Sequence, residues 1–258
     1  IWVFLTAENS TPFGRESTPR STTFLGRRRG VDSRPKGVLF SAVRNTHMRC
    51  LVAMSGGVDS AAAALFLKDE GHDVGGVTLR LTDRPASGPC CAPDGTTRAA
   101  AIADALGIPH YTLDAREVFR QTVIADFVNE YARGRTPNPC VRCNRFVKFT
   151  WLMERMVAWG YEALATGHYV RRETDASGNN PVLRRATNRS KDQSYFLWDT
   201  PRSALPRLLF PLGPYAKDEV KKLLRRRLPS VSPLPENQDA CFITAAGPGE
   251  YVTTRRAE

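Results

Sequence analysis

Ser55-Gly56-Gly57-Val58-Asp59-Ser60 stands between a short apolar run, Cys50-Leu51-Val52-Ala53-Met54, and an alanine-rich one, Ala61-Ala62-Ala63-Ala64-Leu65-Phe66-Leu67-Lys68. The first run reads as a buried strand and the second as the helix after it. A glycine pair at that junction lets the backbone turn sharply and approach a ligand closely, because no Cβ is in the way. Unpaired amides at a helix start, with the positive end of the helix dipole, favour a phosphate group. No Gly-Lys-Ser/Thr follows, so no lysine of that motif reaches terminal phosphates. Read as an ordinary βα junction, the run would be a Gly-rich turn with Ser60 as helix N-cap.

Outward from this loop, strand and helix alternate from Met48 onward, the pattern of a doubly wound α/β fold with a mostly parallel sheet. Strands are expected at 49–54, 73–79, 109–113 and 162–166, and helices at 59–70, 96–106, near 117–133 and at 145–158. Gly71, Gly107 and Gly160 fit left-handed helix ends. A polar stretch from Glu173 to Asn180 reads as a hairpin loop, and Lys217 to Leu228 as a basic helix. Ligands in such sheets bind at the carboxyl ends of the strands, where the first βα turn lies.

The chain has 258 residues, six cysteines and a net charge of +11, which favours a polyanionic partner. Residues 1–47 hold a net +5 of that charge and are rich in Arg, Ser, Thr, Pro and Gly. They read as a disordered basic leader of transit-peptide composition, or as a non-native upstream segment, since the chain begins with Ile1 and Met48 sits just before the first strand. No stretch approaches the roughly 20 apolar residues of a membrane span, so no membrane partner is expected. The sparse cysteines suggest reduced thiols inside a cell: in the cytoplasm of a bacterium, or in a mitochondrion or plastid if the leader is a transit peptide.

Two further blocks carry chemistry. In Thr136-Pro137-Asn138-Pro139-Cys140-Val141-Arg142-Cys143-Asn144, two prolines set a rigid approach to a CxxC. Cys143 is expected one residue before a helix start, with Arg142 and Arg145 beside it; amides and cations so placed raise the thiolate fraction. Such a thiolate could be a nucleophile, a metal ligand or half of a redox pair. A zinc knuckle would need a second close pair, which only Cys90–Cys91 could supply; buried structural thiols are the simpler reading of those two. Asn188-Arg189-Ser190-Lys191-Asp192-Gln193-Ser194-Tyr195-Phe196-Leu197 mixes cationic, amide and aromatic side chains suited to phosphate contact, base-edge hydrogen bonding and stacking.

The loop at 55–60 resembles the pyrophosphate-binding loop (PP-loop) of enzymes that split ATP between its α and β phosphates. With Thr-Pro-Asn-Pro-x-x-x-Cys-Asn at 136–144, Ala-Thr-Gly-His-Tyr at 165–169, Lys-Asp-Gln-Ser-Tyr-Phe-Leu at 191–197 and Cys-Phe-Ile at 241–243, the order of blocks is similar to that of the tRNA-specific 2-thiouridylase family, from about Met48 to Ile243. The resemblance implies a PP-loop ATP pyrophosphatase (adenine nucleotide α-hydrolase-like) domain over 48–243. It also implies that 244–258 is a truncated tail, without the family's adaptor and C-terminal β-barrel domains. The implied reaction uses ATP and Mg2+ to adenylate C2 of the wobble uridine, position 34, in tRNAs for Lys, Glu and Gln. Sulfur from a persulfide sulfur-carrier protein then displaces AMP and leaves 2-thiouridine.

By the same resemblance Cys143 is the nucleophile and Cys241 the persulfide carrier, closing to a disulfide, with Asp59 as a further catalytic group. Ala53, Met54, Ser55, Gly56, Gly57, Val58, Asp59 and Ser60 would line ATP, with Leu79 and Gly167 at the adenine. Asn138, Pro139 and Cys140 would meet the target base; His168, Lys191, Asp192 and Gln193 would contact tRNA. Many members have Asp where this chain has Cys140, so Cys140, Cys143 and Cys241 could instead ligate a [4Fe-4S] cluster. The alternatives are another PP-loop adenylating enzyme and a truncated, inactive tRNA-binding remnant.

Overall fold

In the computed structural model, which describes residues 47–82, 93–229, 241–243 and 247–256, the apolar run before the glycines is a strand, β1 (Arg49–Ala53). The leader, apart from His47, and the loop with Cys90 and Cys91 lie outside the described residues. Helix α1 (Val58–Asp69) follows, then β2 (Asp73–Arg80), α2 (Pro93–Leu106) and β3 (His110–Asp114). Helix α3 covers 116–132 and helix α4 covers 139–158; each contains a stretch of wider turn, Arg120–Ile124 and Cys143–Leu152. After β4 (Ala163–Ala165) come the hairpin strands β5 (Val170–Thr174) and β6 (Pro181–Arg185), the short β7 (Leu208–Leu209), α5 (Lys217–Arg227) and α6 (Gly247–Arg256).

Five strands form one parallel sheet in the order β3-β2-β1-β4-β7, while β5 and β6 pair antiparallel apart from it. Successive side chains of a strand point to opposite faces, and a sheet covered on both sides needs apolar residues on both. Cys50, Val52, Ala163 and Ala165 face a core made with α1, α2 and α5. Leu51 and Leu164 face the opposite core, made with Phe119, Val123 and Phe127 of α3 and Val147, Leu152 and Met156 of α4. Helix α1 is buried all round except at its end, which is why its middle is four alanines with no polar stripe.

The chain builds β1, β2 and β3 toward one edge and then returns to place β4 and β7 on the other side of β1. The order therefore reverses between β1 and β4, and the crevice of a doubly wound sheet opens at the carboxyl ends of those two strands. Those ends lead into Ser55–Gly57 and Thr166–His168.

Two differences from the sequence expectation matter. Helix α4 begins at Pro139, not 145, so the CxxC lies within the helix rather than ahead of it. The second is an addition: helix α6 forms within 244–258, a stretch for which no secondary structure was expected either way. Tyr251 of α6 packs its ring on Phe242 at 5.2 Å, and Phe242 packs edge-on against Phe127 at 5.2 Å and Phe119 at 5.6 Å of α3. This aromatic cluster fixes the Cys241–Ile243 segment to the sheet's second face.

Candidate functional site

The β1–α1 loop is held by its own atoms. Ser60 Oγ donates to the Gly57 carbonyl at 3.1 Å and accepts from the Ser55 amide at 3.1 Å. Gly57, not Ser60, is the N-cap, and no side chain caps the helix. The first amides of α1 are thus left for an anion, with the helix dipole behind them. Gly56 has φ +74°, and a Cβ there would lie 2.5 Å from the Gly95 carbonyl oxygen. Across the crevice, a Cβ on Gly167 would come within 2.6 Å of the Asp59 carbonyl carbon, so β4 can close on the start of α1 only through glycine.

Asp59 is fastened from behind. Its Oδ1 accepts from Lys217 Nζ at 2.5 Å and from the Tyr169 hydroxyl at 3.2 Å. Lys217 is only 7% exposed, so the pair is shielded from water on the lysine side. Sequence reading missed Lys217, which stands among five other cations in 217–227; only its position at the helix's first turn sets it apart.

The opposite wall comes from α4. Asn138 caps it, its Oδ1 accepting from the amides of Cys140 at 3.1 Å and Val141 at 3.3 Å, and Pro139 takes the first position, where no amide is needed. In the widened stretch from Cys143, residues five apart come near one line, so Cys143 and Lys148 share a face. Lys148 donates to Asn144 Oδ1 at 3.0 Å, and Asn144 Nδ2 donates to the Phe196 carbonyl at 3.0 Å. Arg142 and Arg145, expected as the cations beside Cys143, are instead bound to carboxylates: Arg142 to Asp126 at 2.8 Å and Arg145 to Asp199. The cation of this wall is Lys148.

The two walls enclose a cavity of about 320 Å³, within the range of small-ligand sites. Ala53, Met54, Ser55, Asp59, Ser60, Leu79 and Gly167 line one side, and Pro139, Cys140, Cys143, His168, Gln193 and Cys241 the other. Val77, Leu81, Phe119 and Phe242 add an apolar patch, while Asn144, Lys148, Thr166 and Phe196 are lining residues that the sequence reading did not assign. Gly56, Gly57, Val58, Asn138, Lys191 and Asp192 do not line it. Asn138 caps helix α4 through its Oδ1, and Asp192 accepts from the Ala186 amide at 2.8 Å and from Ser194 Oγ at 2.7 Å. Lys191 lies exposed on the neighbouring turn Arg189–Lys191.

His168 packs against the Phe149 and Phe210 rings and bonds Thr166 Oγ1 through Nδ1 at 2.8 Å. Burial, and then Lys148, push its pKa down to about 3. It is a neutral imidazole in the cavity, not a cation for phosphate. Cys50, outside the cavity, is pushed up to about 12 by burial and stays an inert thiol. Cys140, Cys143 and Cys241 all reach the cavity, with Cys140 exposed and Cys143 buried. Among the described residues no three His, Cys, Asp or Glu are grouped to hold a single metal ion. The same residues include no helix long and apolar enough to cross a membrane.

A parallel doubly wound sheet, with a glycine loop at its switch point and an uncapped helix behind it, is the PP-loop type of nucleotide-binding α/β domain. The chain belongs to the tRNA methyl transferase HUP domain family, whose model matches residues 48–245. It is 48% identical over 206 residues to the tRNA-specific 2-thiouridylase MnmA of Thermus thermophilus, covering 76% of this chain and 54% of that one. To the protein of the same name from Rhodospirillum rubrum it is 49% identical over 201 residues, covering 76% and 53%. The chain spans about half the length of the curated relatives it matches. Among solved structures, the U34-tRNA thiolase NcsA of Methanococcus maripaludis is similar at TM-score 0.47 and 15% identity, over 81% of this chain and 65% of that one.

Proposed function

We propose that this domain uses ATP to adenylate C2 of the wobble uridine, position 34, in tRNA and then installs sulfur there as 2-thiouridine. The observation that carries it is the single cavity in which the phosphate-ready loop Ser55–Ser60 faces three thiols, Cys140, Cys143 and Cys241. The α1 amides would take the phosphates, and Asp59 would help hold Mg2+, which is bound mostly by phosphate oxygens and one or two carboxylates and would neutralise charge on the departing pyrophosphate. Ala53, Met54, Leu79 and Gly167 border the adenine. Pro139 and Cys140 meet the uracil, with Gln193 and neutral His168 as hydrogen-bonding groups and Lys191 toward the RNA backbone.

The uracil O2 attacks the α phosphorus of ATP and pyrophosphate leaves. The terminal sulfur of a persulfide on Cys241 attacks C2, and AMP leaves with the oxygen. Cys143 thiolate then attacks the Cys241 sulfur, forming the Cys143–Cys241 disulfide and releasing the thiocarbonyl. A persulfide sulfur-carrier protein loads Cys241, and an external thiol reduces the disulfide, which suits an intracellular compartment. The substrates are tRNAs for Lys, Glu and Gln.

The three thiols are soft donors of the type that ligates a [4Fe-4S] cluster, which when bound would supply an iron able to carry sulfide, but as placed they are not drawn together around one metal position. Anaerobic purification separates the routes: iron and acid-labile sulfide accompany the cluster route and are absent in the persulfide one. The reaction itself is tested by ATP–pyrophosphate exchange. Exchange that appears only with tRNA, and survives Cys241→Ser, supports adenylation; no exchange with any tRNA under reducing conditions sinks it.

A further inference from the structure

The turn Ser194–Leu197 presents its side chains to three different surroundings. Phe196 lines the cavity, Leu197 is buried in the core, and Tyr195 and Trp198 are 64% and 70% exposed. On so tight a turn, side chains three apart eclipse, so Tyr195 and Trp198 stand on one side of it. The Tyr195 ring lies 5.6 Å from that of Phe196, so the exposed pair continues the cavity's edge outward. The Asn144 bond to the Phe196 carbonyl ties the turn to the helix that carries Cys140 and Cys143.

The charges around this pair are one-sided. Asp192 is occupied by Ala186 and Ser194, and Asp199 by Arg145. Arg189 and Lys191 are exposed on the adjoining turn, with no carboxylate ion pair among the described residues, while exposed Arg185 on the adjoining strand lies close enough to Asp192 to favour its ionised form. Two large exposed rings beside unneutralised cations suit unpaired nucleotides, whose bases stack on aromatic faces while their phosphates meet the cations.

We propose that Tyr195 and Trp198 form a stacking platform for the unpaired bases next to the target uridine in an RNA loop. This rests on the tRNA reading above and adds how the loop is gripped once the uridine has entered the cavity. Single strands have free base faces and duplexes do not, so the platform selects an open loop over a helix.

The test is a fluorescence-anisotropy titration of the full chain with a labelled anticodon stem-loop RNA and, separately, a labelled RNA duplex. Tyr195→Ala and Trp198→Ala should each weaken stem-loop binding by roughly tenfold or more, the range for losing one stacked base. Trp198→Phe should restore most of the affinity, and duplex binding should not move. Alanine variants that bind the stem-loop as wild type does overturn the proposal, as do variants that lose loop and duplex equally. If the variants change only the sedimentation of the protein, the rings meet another protein surface and the proposal fails. A wild-type chain that binds no stem-loop sinks the tRNA reading itself, a different result from wild-type binding that the variants leave intact.

Discussion

Lys217 reaches Asp59 across 158 positions of sequence, and the pair shows how a loop can be set from outside itself. Asp59 is partly exposed, whereas Lys217 is nearly buried. Asp59→Asn therefore leaves an ammonium buried without its counter-charge, costing about 3–5 kcal/mol. Lys217→Met leaves only a carboxylate that water can reach, costing about 1–3 kcal/mol. Urea unfolding of the two variants should give that order, and the reverse order would show the pair is not what holds the loop. His168 makes a second residue-scale prediction. Its folded pKa, about 3, lies below the ordinary 6.5. Between these values the unfolded chain binds a proton and the folded one does not. Stability is whole above about pH 6.5 and falls by up to about 1.4 kcal/mol per unit as pH drops toward 3. His168→Gln should flatten that part of the curve; unchanged pH dependence of the urea midpoint would rule out the buried imidazole as its source.

Among the elements, the cysteine helix α4 is where local reading and tertiary structure part. Gly134, Pro137 and Pro139 look like a loop, yet Pro139 at the first helical position and Asn138 before it are also a helix start. The strands were legible because a sheet covered on both faces needs unbroken apolar runs, as in Cys50-Leu51-Val52. The loop was legible because its glycines answer backbone demands visible in four residues. The widened turn that brings Lys148 beside Cys143 was not, since nothing in residues 143–152 alone dictates bonds five apart. Nor were the partners of Arg142 and Arg145, which lie on α3 and past the turn at 194–197. Asn138→Ala should cost about 1 kcal/mol as a lost cap, with Asn138→Asp retaining most of it. Thermal unfolding checks the stability. The alkylation rate of Cys140 checks the element: a frayed first turn should change it in the alanine variant alone.

At the scale of the molecule, the cavity is assembled from two separately anchored parts. The loop, Asp59 and Gly167 belong to β1, α1 and β4, braced by α5. Cys140 and Cys143 ride on α4, and Cys241 is brought in by a segment anchored, among the described residues, by Phe242, set among Phe119, Phe127 and Tyr251. The two parts should therefore fail independently. A ligand that binds only the folded chain stabilises it by about 2.7 kcal/mol at a hundred times its Kd. Phe242→Ala removes a packed ring, with a cost of at most about 3–5 kcal/mol. It alters the apolar patch of the cavity lining but leaves the Ser55–Ser60 loop and Gly167 in place, so ATP with Mg2+ should raise the melting temperature of wild type and variant by similar amounts. The thiols should separate: mild oxidation, followed by peptide mass mapping, should yield a Cys143–Cys241 bridge in the wild type and far less of it in the variant, in the same time. If the variant loses the ATP-dependent shift as well, the two walls are one cooperative unit; if it forms the bridge as readily as wild type, Phe242 is not what delivers Cys241 to the cavity.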